Sequence, residues 1–320
     1  MAKAFTWAYD ALTGVYKNHK LSAKMMKVAA GEFIIAQFSK NVSEYGKGMG
    51  ESITIPHYKA MAVPANNGEL TEDVRIPIDT LVMGSRTLSI KEFGRGVEFT
   101  SLAQDLSVFD PEKACQKALM QQMHHCMDNA SASALKSAKV CFIPTGLTSG
   151  TWDVDGTPST VATQNINKSL LGLIRDYMVK DLHIPPYEAR HYIGLFSTKA
   201  LRGLKDDKGL EDWFKYLREG DVLYTGELGR VEMIRLIEVT NESALSNSVG
   251  SGGVLGEGIV FGDEALARLE IESPHLLADP NYKSDFGRRK AVAWYGKVAY
   301  GTYWDTANDG EAKIIRVCSA

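Results

Sequence analysis

Arg86-Thr-Leu-Ser-Ile-Lys-Glu-Phe-Gly94-Arg-Gly96-Val-Glu-Phe-Thr100 is the stretch that decides the fold, together with the helix that follows it. Its alternation of apolar and polar side chains indicates a long strand, and the two glycines predict a bend or bulge within that strand. Asp110-Pro111-Glu112 is typical of a helix start, with Asp as the N-cap and Pro at the first helical position. The pattern predicts a helix at 111–138, a rod of roughly 40 Å. A helix of this length is more typical of a subunit that spans the wall of an assembly than of a globular enzyme.

The overall composition is that of an ordinary globular protein. Of the 320 residues, 44% are hydrophobic and 23% are charged, which allows one large domain or two ordinary ones. Lys and Arg number 36 against 39 Asp and Glu, so the net charge is -3 and there is no basic surplus for binding a polyanion. No apolar run approaches the length of a membrane span and no signal-peptide pattern is present, so we expect neither membrane insertion nor secretion.

The four cysteines are expected to be reduced. Cys115, Cys126, Cys141 and Cys318 lack the C-x-x-C spacing of metal or redox motifs. Small core residues with free thiols are the usual intracellular state.

A long hairpin is predicted ahead of the helix. Residues 51–58 alternate as a strand, and the polar segment 59–83 separates them from the strand at 86–100. A connection of that length is uncommon inside a compact domain and is usually functional. Because an isolated two-stranded ribbon is marginal in water, we expect this hairpin to project and to lie on a neighbouring copy.

The remainder of the chain predicts a mixed α+β fold without regular βα alternation. A helix capped by Asn165 or Asn167 is expected before the stop at Pro185-Pro186. Two short helices are expected at 198–218. The predicted strands are at 140–143, 190–196, 231–239, 258–261 and 291–303.

Two motifs suggest ligand chemistry at first sight. Gly46-Lys-Gly-Met-Gly50-Glu-Ser52 resembles a phosphate loop, but a strand rather than a helix follows it, so a flexible joint is the better interpretation. His124-His125-Cys126 are adjacent on a helix and point about 100° apart, so they cannot converge on one metal ion. We instead expect Cys115, Leu119, Cys126 and Ala130 to form the packing face of the predicted helix, with Gln122 in the same stripe.

Charged residues are expected to act at the surface. There is no Gly-x-Ser-x-Gly elbow, and the histidines are scattered. Asp206-Asp207 and the run Glu69, Glu72, Asp73 lie in polar, Gly-flanked stretches, which favours solvated or intersubunit ion pairs over acid–base catalysis. The triplet Arg288-Arg289-Lys290 does not by itself make a nucleic-acid groove.

Six motifs in order give the chain a family resemblance. They are Gly48-Met-Gly-Glu-Ser-Ile-Thr-Ile-Pro56, Gly68-Glu-Leu-Thr-Glu72, Ile90-Lys-Glu-Phe-Gly-Arg-Gly-Val-Glu-Phe-Thr100, the Asp110 helix with Met127-Asp128, Ile259-Val-Phe-Gly-Asp-Glu-Ala265, and Asp285-Phe-Gly-Arg-Arg-Lys-Ala-Val-Ala-Trp294. In this order the chain resembles the major capsid (coat) proteins of tailed bacteriophages, in particular the podovirus type. Their order carries the resemblance, since no single motif is as specific as a zinc-finger spacing.

The resemblance implies a division of the chain into five segments. These are an N-terminal arm (1–48), an extended hairpin loop (49–102), a peripheral domain on the long helix (103–160), an axial domain (161–262) and return strands (263–320). The contacts between subunits are then expected at Glu69, Glu72, Asp73 and Arg75 of the extended loop.

The function that the resemblance implies is structural. We expect self-assembly into hexamers and pentamers of an icosahedral virion shell around double-stranded DNA, built in the bacterial cytoplasm, without catalysis, cofactor or bound metal. Portal, scaffolding and decoration proteins are the implied partners. The alternatives are a two-domain α+β enzyme with a pocket near 250–262, and another phage component such as a tail or decoration protein.

Overall fold

The computed structural model describes residues 34–42, 46–58, 61, 63–72, 75–81, 83–107, 110–206, 227–280, 282–303 and 313–320. The strands and helices in this part of the chain are β1 (Lys40–Asn41), β2 (Ser52–Tyr58), β3 (Met83–Ser89), β4 (Lys91–Thr100), α1 (Ser101–Leu106), α2 (Pro111–Lys136), β5 (Cys141–Pro144), β6 (Gly150–Asp153), α3 (Lys168–Lys180), β7 (Tyr192–Ser197), α4 (Arg202–Lys205), β8 (Glu227–Val231), β9 (Ile234–Val239), β10 (Gly258–Phe261), β11 (Leu266–Asp279), β12 (Arg289–Thr302) and β13 (Ile314–Val317). Short 3₁₀ helices lie at Ile35–Phe38, Ala65–Gly68 and Tyr282–Ser284.

The chain divides into two compact units. In the described part, one comprises Glu92–His125 and Glu272–Lys297, and the other comprises residues between 34 and 91, Cys126–Ile271 and Val298–Ala320. Helix α2 and strands β11 and β12 contribute residues to both units.

Helix α2 begins where the sequence predicted. The Oδ1 atom of Asp110 accepts hydrogen bonds from the backbone N–H groups of Glu112 (3.1 Å) and Lys113 (3.4 Å), which satisfies two of the donors that a helix start leaves open. The helix ends at Lys136, two residues before the predicted end, because the N–H groups of Ser137 and Ala138 bond to Ala134 and Leu135 in a tighter turn.

A seven-stranded mixed sheet forms the centre of the larger unit, in the order β6-β5-β13-β10-β7-β9-β8 within the described residues. Strand β10 is antiparallel to both β13 (Gly258↔Val317) and β7 (Gly258↔Phe196), and all four of its residues are buried. The domain boundaries predicted at residues 160 and 262 stay predictions. Strands from both sides of each boundary meet in this sheet.

The sheet carries a hydrophobic core on each face. Alternate residues of β10 divide between the two cores: Val260 belongs to one, Ile259 and Phe261 to the other. Helix α3 covers the first core, with Leu170, Leu171, Ile174 and Met178 fully buried. Its N-cap is Asn167, whose Oδ1 accepts the Leu170 N–H at 3.0 Å, which selects between the two predicted caps.

The stretch predicted as one strand at 86–100 is divided at Ile90 between two sheets. Strand β3 pairs only with β2 in a two-stranded sheet, whereas β4 joins a four-stranded sheet in the order β1-β11-β12-β4. Strand β4 runs through Gly94 and Gly96, and the bend or bulge predicted at these two glycines stays a prediction. These glycines allow β4 to lie close to the backbone of β12. A Cβ on Gly94, for example, would lie 2.9 Å from the carbonyl oxygen of Trp294 on β12.

The predicted strand at 231–239 is instead a hairpin. Strands β8 and β9 are antiparallel with Val231 paired to Ile234, so Glu232 and Met233 alone form the turn. Both have positive φ (50° and 63°), the conformation of a tight hairpin turn that usually selects Asn or Gly. Because neither of those residues is present, the sequence carried no turn signal.

The expectation that all four cysteines are reduced was also wrong. Cys141 and Cys318 form a disulfide, and Cys115 and Cys126 are not disulfide-bonded. The partners are 177 positions apart, so no local spacing relates them. They meet because β5 and β13 pair in parallel, with Phe142 opposite Val317.

Residues 34–42 are held by a buried carboxylate of helix α2. Asp128 is completely buried, and its Oδ1 accepts hydrogen bonds from the N–H groups of Ile35 (2.7 Å) and Ala36 (3.4 Å) at the start of the Ile35–Phe38 turn. Its Oδ2 accepts from the side-chain amide of Asn241 at 3.3 Å, beyond the end of β9. One side chain therefore connects the helix to two distant segments of the chain.

Replacing Asp128 by Ala is expected to lower the free energy of unfolding by about 3 kcal/mol, because buried donors lose a charged acceptor. Chemical denaturation followed by circular dichroism measures this loss. The matched control is Asp105→Ala on α1, an exposed aspartate that should change stability by less than about 0.5 kcal/mol. Equal effects of the two substitutions would contradict the role assigned to Asp128.

Candidate subunit-contact site

The β2–β3 hairpin is the element that the sequence singled out. The two strands pair from Ser52↔Ser89 to Tyr58↔Met83, so residues 59–82, here called the hairpin tip, lie between the last pair. A hydrogen bond of 3.0 Å between the hydroxyls of Thr54 and Thr87 adds a side-chain link on the exposed face. The predicted hairpin is confirmed.

The base of the hairpin belongs to the chain's own core. Along β2 and β3 every second residue is at least half-buried, and the intervening residues are exposed. Leu88 is buried in a cluster with Ala267, Leu269 and Ala299, and Ile53 and Ile55 pack against that cluster. This face gives the hairpin a fixed platform, as a two-stranded ribbon requires.

The described residues of the hairpin tip are exposed. Every residue between 61 and 81 whose burial is described is exposed. The tip nevertheless carries large apolar side chains that are 55–80% exposed: Met61, Val63, Leu70, Ile76, Ile78 and Leu81. Concentrations of exposed apolar side chains of this kind mark sites of contact with other molecules.

The charged residues predicted at this site lie within the same tip. Glu69, Glu72 and Arg75 are exposed, and Asp73 falls outside the described residues. Their contact with another copy stays a prediction. Sequence reasoning treated the tip as polar and overlooked its apolar members, for which the clearest available signal was Ile76-Pro-Ile78.

The second predicted set concerns the packing of helix α2. Leu119 is 3% exposed, whereas Cys115, Cys126 and Ala130 are half-buried. Partial burial raises the pKa of the Cys115 thiol. Gln122 of the same stripe accepts a hydrogen bond of 3.3 Å from the indole N–H of Trp294 on β12.

The other buried positions on α2 were not predicted. They are Met127, Asp128, Ser131, Ala132 and Leu135, which lie in its second half. No local signal in the sequence marked Asp128 as buried, because its hydrogen-bond partners are at residues 35, 36 and 241.

The glycines in the two glycine-rich stretches are explained by backbone conformation and close packing. Gly48 and Gly50 have φ of 89° and 94° and lead into strand β2, as expected for a joint. In the 250–262 segment, a Cβ on Gly256 would lie 2.1 Å from the Ser197 hydroxyl, and one on Gly258 would lie 2.4 Å from the Phe196 ring. Close packing against β7 therefore accounts for both of these glycines.

The described residues, among them His124, His125 and Cys126, contain no group of three or more His, Cys, Asp or Glu side chains arranged to hold a metal ion. Asp206 follows α4 and is exposed, and Asp207 lies outside the described residues. In the basic triplet, the guanidinium of Arg289 lies 3.7 Å from a carboxylate oxygen of Glu98 and 3.7 Å from one of Asp285. No helix in the described part of the chain is long and apolar enough to cross a membrane.

Comparisons with known proteins place the fold. No family model matches the chain, and no curated protein is similar to it in sequence. Among solved structures, the chain is similar to one in the cyanophage Pam1 capsid asymmetric unit, with a TM-score of 0.67, 15% identity and coverage of 100% of both chains. It is also similar to the acid-stable capsid of Helicobacter pylori bacteriophage KHP30 (TM-score 0.66, 12% identity, 100% of both chains).

A third similar structure is the capsid of Ralstonia phage GP4, with a TM-score of 0.66 and 12% identity over 99% of this chain and 98% of that one. The likeness extends from end to end rather than over one domain. The chain therefore has the α+β fold of phage capsid proteins, which confirms the predicted fold class.

Leu119→Asp is expected to cost on the order of 3 kcal/mol or more, because it removes packing and places a carboxylate in a buried position. Thermal and denaturant unfolding measure the loss, and insoluble protein is the extreme form of it. The neighbouring Met120 is 46% exposed, so Met120→Asp is the matched control and should remain soluble and stable. A soluble Leu119→Asp protein with unchanged melting would mean that the buried face of the helix is a different one.

Proposed function

We propose that this chain is the major capsid protein of a tailed bacteriophage, which self-assembles into an icosahedral shell enclosing double-stranded DNA. The observation that carries the proposal is the hairpin tip, whose large apolar side chains are exposed on a chain that has the phage capsid fold over its full length. Assembly into hexamers and pentamers would cover these side chains.

The division of the hairpin into two parts supports this function. Its base contributes Leu88 to the subunit's own core, so the hairpin direction is fixed before any partner arrives. Its tip offers a surface that is distinct from the rest of the subunit. A tip that lies on a different surface of the next copy makes a heterologous contact, and such contacts close into rings when the rotation between copies allows it.

The electrostatics suit a container for DNA. The net charge is -3, so the chain as a whole provides little attraction for phosphates. Near the basic triplet, Arg289 is close to two carboxylates and the Lys290 ammonium donates to the Gln104 side chain at 2.9 Å. Weak, sequence-independent contact with DNA is the expected result, since tight binding would oppose its packaging and release.

The remaining expectations belong to this proposal. The chain would have a structural role without a cofactor, and would lie in the virion after assembly in the bacterial cytoplasm. Portal, scaffolding and decoration proteins would be its partners. The enzyme alternative loses its main support, because β10 and Gly256 just before it are closely packed against strand β7 and its end.

The purified protein is expected to form capsomers, shells or tubes. Analytical ultracentrifugation over a range of protein and salt concentrations, with negative-stain microscopy of the fast fractions, tests this directly. A species that stays a 35.1 kDa monomer under all these conditions would count decisively against the capsid function.

Removal of residues 62–82, with a short Gly-containing turn to join the strands, is expected to leave a folded monomer that does not assemble. The loss of a long exposed loop changes only a small closure entropy, so the melting temperature should stay within a few degrees of the wild type. Microscopy and ultracentrifugation then report assembly. Normal shells from the shortened protein would contradict the proposal, and a protein that cannot fold would place the tip in the subunit's own core.

A second variant keeps the length of the tip and reverses its charge through Glu69→Lys, Glu72→Lys and Asp73→Lys. If these residues face basic groups of the next copy, assembly should weaken strongly at low salt. Reversal of the exposed Asp105, Asp181 and Glu242 gives a control away from the tip with the same change in net charge, and this protein should assemble normally. Equal defects in the two proteins would indicate an effect of net charge rather than of the tip.

A further inference from the structure

The disulfide between Cys141 and Cys318 links two adjacent strands of the large sheet, β5 and β13. Cys141 is fully buried at the start of β5, and Cys318, directly after β13, is 3% exposed. In chain order, β5 is the first strand of this sheet and β13 is the last, and the two cysteines are 177 positions apart.

Strand β13 is the element that this bond holds. It lies between β5 and β10, with Ile315 and Val317 fully buried, so the sheet is continuous only when β13 is in place. The residues that follow are bound as well: the Cys318 N–H donates to the Phe142 carbonyl at 3.2 Å, and the Ala320 N–H donates to the Thr160 carbonyl at 2.9 Å. Reagents can therefore reach either sulfur only when this strand opens.

We propose that the Cys141–Cys318 pair is a redox-controlled cross-link, open while the protein is made and closed once the assembled particle meets an oxidising medium. The biological timing rests on the proposed shell function, because a shell is built in a reducing cytoplasm and later leaves it. The cross-link would then add stability at the stage when the particle must persist outside the cell, without constraining the chain during folding and assembly.

The chemistry requires a low-molecular-weight disulfide as the oxidant. When β13 opens, the Cys318 thiolate attacks one sulfur of that disulfide, forms a mixed disulfide and releases one small thiol. The Cys141 thiolate then attacks the Cys318 sulfur and releases the second small thiol. Two protein thiols are oxidised, one small disulfide is reduced to two thiols, and the two protons pass from the protein thiols to the released thiolates.

The closed cross-link acts chiefly on the unfolded chain. Joining residues so far apart in sequence removes much of the conformational freedom of the unfolded state, so the oxidised protein should melt roughly 5–10 °C above the reduced one. Oxidation should be slow, since each exchange step waits for the opening of β13.

The experiment compares the state of the cysteines at cell lysis with their state in native protein after oxidation. Cells are lysed into denaturant with an alkylating reagent, and all four cysteines should be alkylated. Native protein incubated with oxidised glutathione should instead yield a linked Cys141–Cys318 peptide on non-reducing mass mapping, with Cys115 and Cys126 still alkylated. Absence of the linked peptide after long oxidation would overturn the proposal, and so would its presence already at lysis.

Variants separate the cross-link from general oxidation. The melting temperature of Cys318→Ser should not respond to oxidised glutathione, whereas Cys115→Ser, a change at a free cysteine, should respond like the wild type. If Cys318→Ser does not fold, the wild type with and without oxidant still decides the question. A linked peptide with unchanged melting would overturn the proposed stabilisation. Failure of both redox forms to assemble would count against the shell function alone, because the peptide and melting measurements do not depend on assembly.

Discussion

The buried carboxylate of Asp128 is the interaction on which the larger unit depends. A charge without exposure to water must be satisfied by donors, and here the backbone N–H groups of Ile35 and Ala36 and the amide of Asn241 provide them. The same helix therefore determines where residues 34–42 enter the fold and where the chain turns after β9. The position of Phe38 depends on these hydrogen bonds, because Phe38 ends the turn that they hold. Its ring packs edge-on against the ring of Phe261 on the central strand β10, with 5.8 Å between the ring centroids.

The difference between the covered sheet and the exposed hairpin tip is the second main feature of the molecule. The seven-stranded sheet is covered on both faces by other residues of the same chain. The hairpin differs, because it shares in the core at Leu88 and then extends into a tip with exposed Ile76, Ile78 and Leu81. Under the proposed function, this arrangement lets a subunit fold first and assemble afterwards, with the apolar area of the tip as the driving force.

The two proposals concern different stages of the same particle. The hairpin tip would bring copies together, and the Cys141–Cys318 cross-link would act inside each copy after assembly. They also use different physics, since contact between copies buries apolar surface whereas the disulfide restricts the unfolded chain. The cross-link adds nothing to the contact surface itself, which is why the two can be tested independently.

The sequence by itself determined the features that depend on neighbouring residues. The cap at Asp110, a cap at Asn165 or Asn167, the hairpin flanking a long loop and the α+β class all follow from local patterns, and the order of motifs indicated the capsid fold. The structure selected Asn167 as the second cap. Only the tertiary structure decided the division at Ile90, the strand β11 that contains Pro274, and the turn at Glu232-Met233. It alone also paired Cys141 with Cys318 and buried Asp128. These outcomes depend on contacts between residues far apart in sequence, where packing overrides local preference, and one chain read in order carries no signal of such contacts.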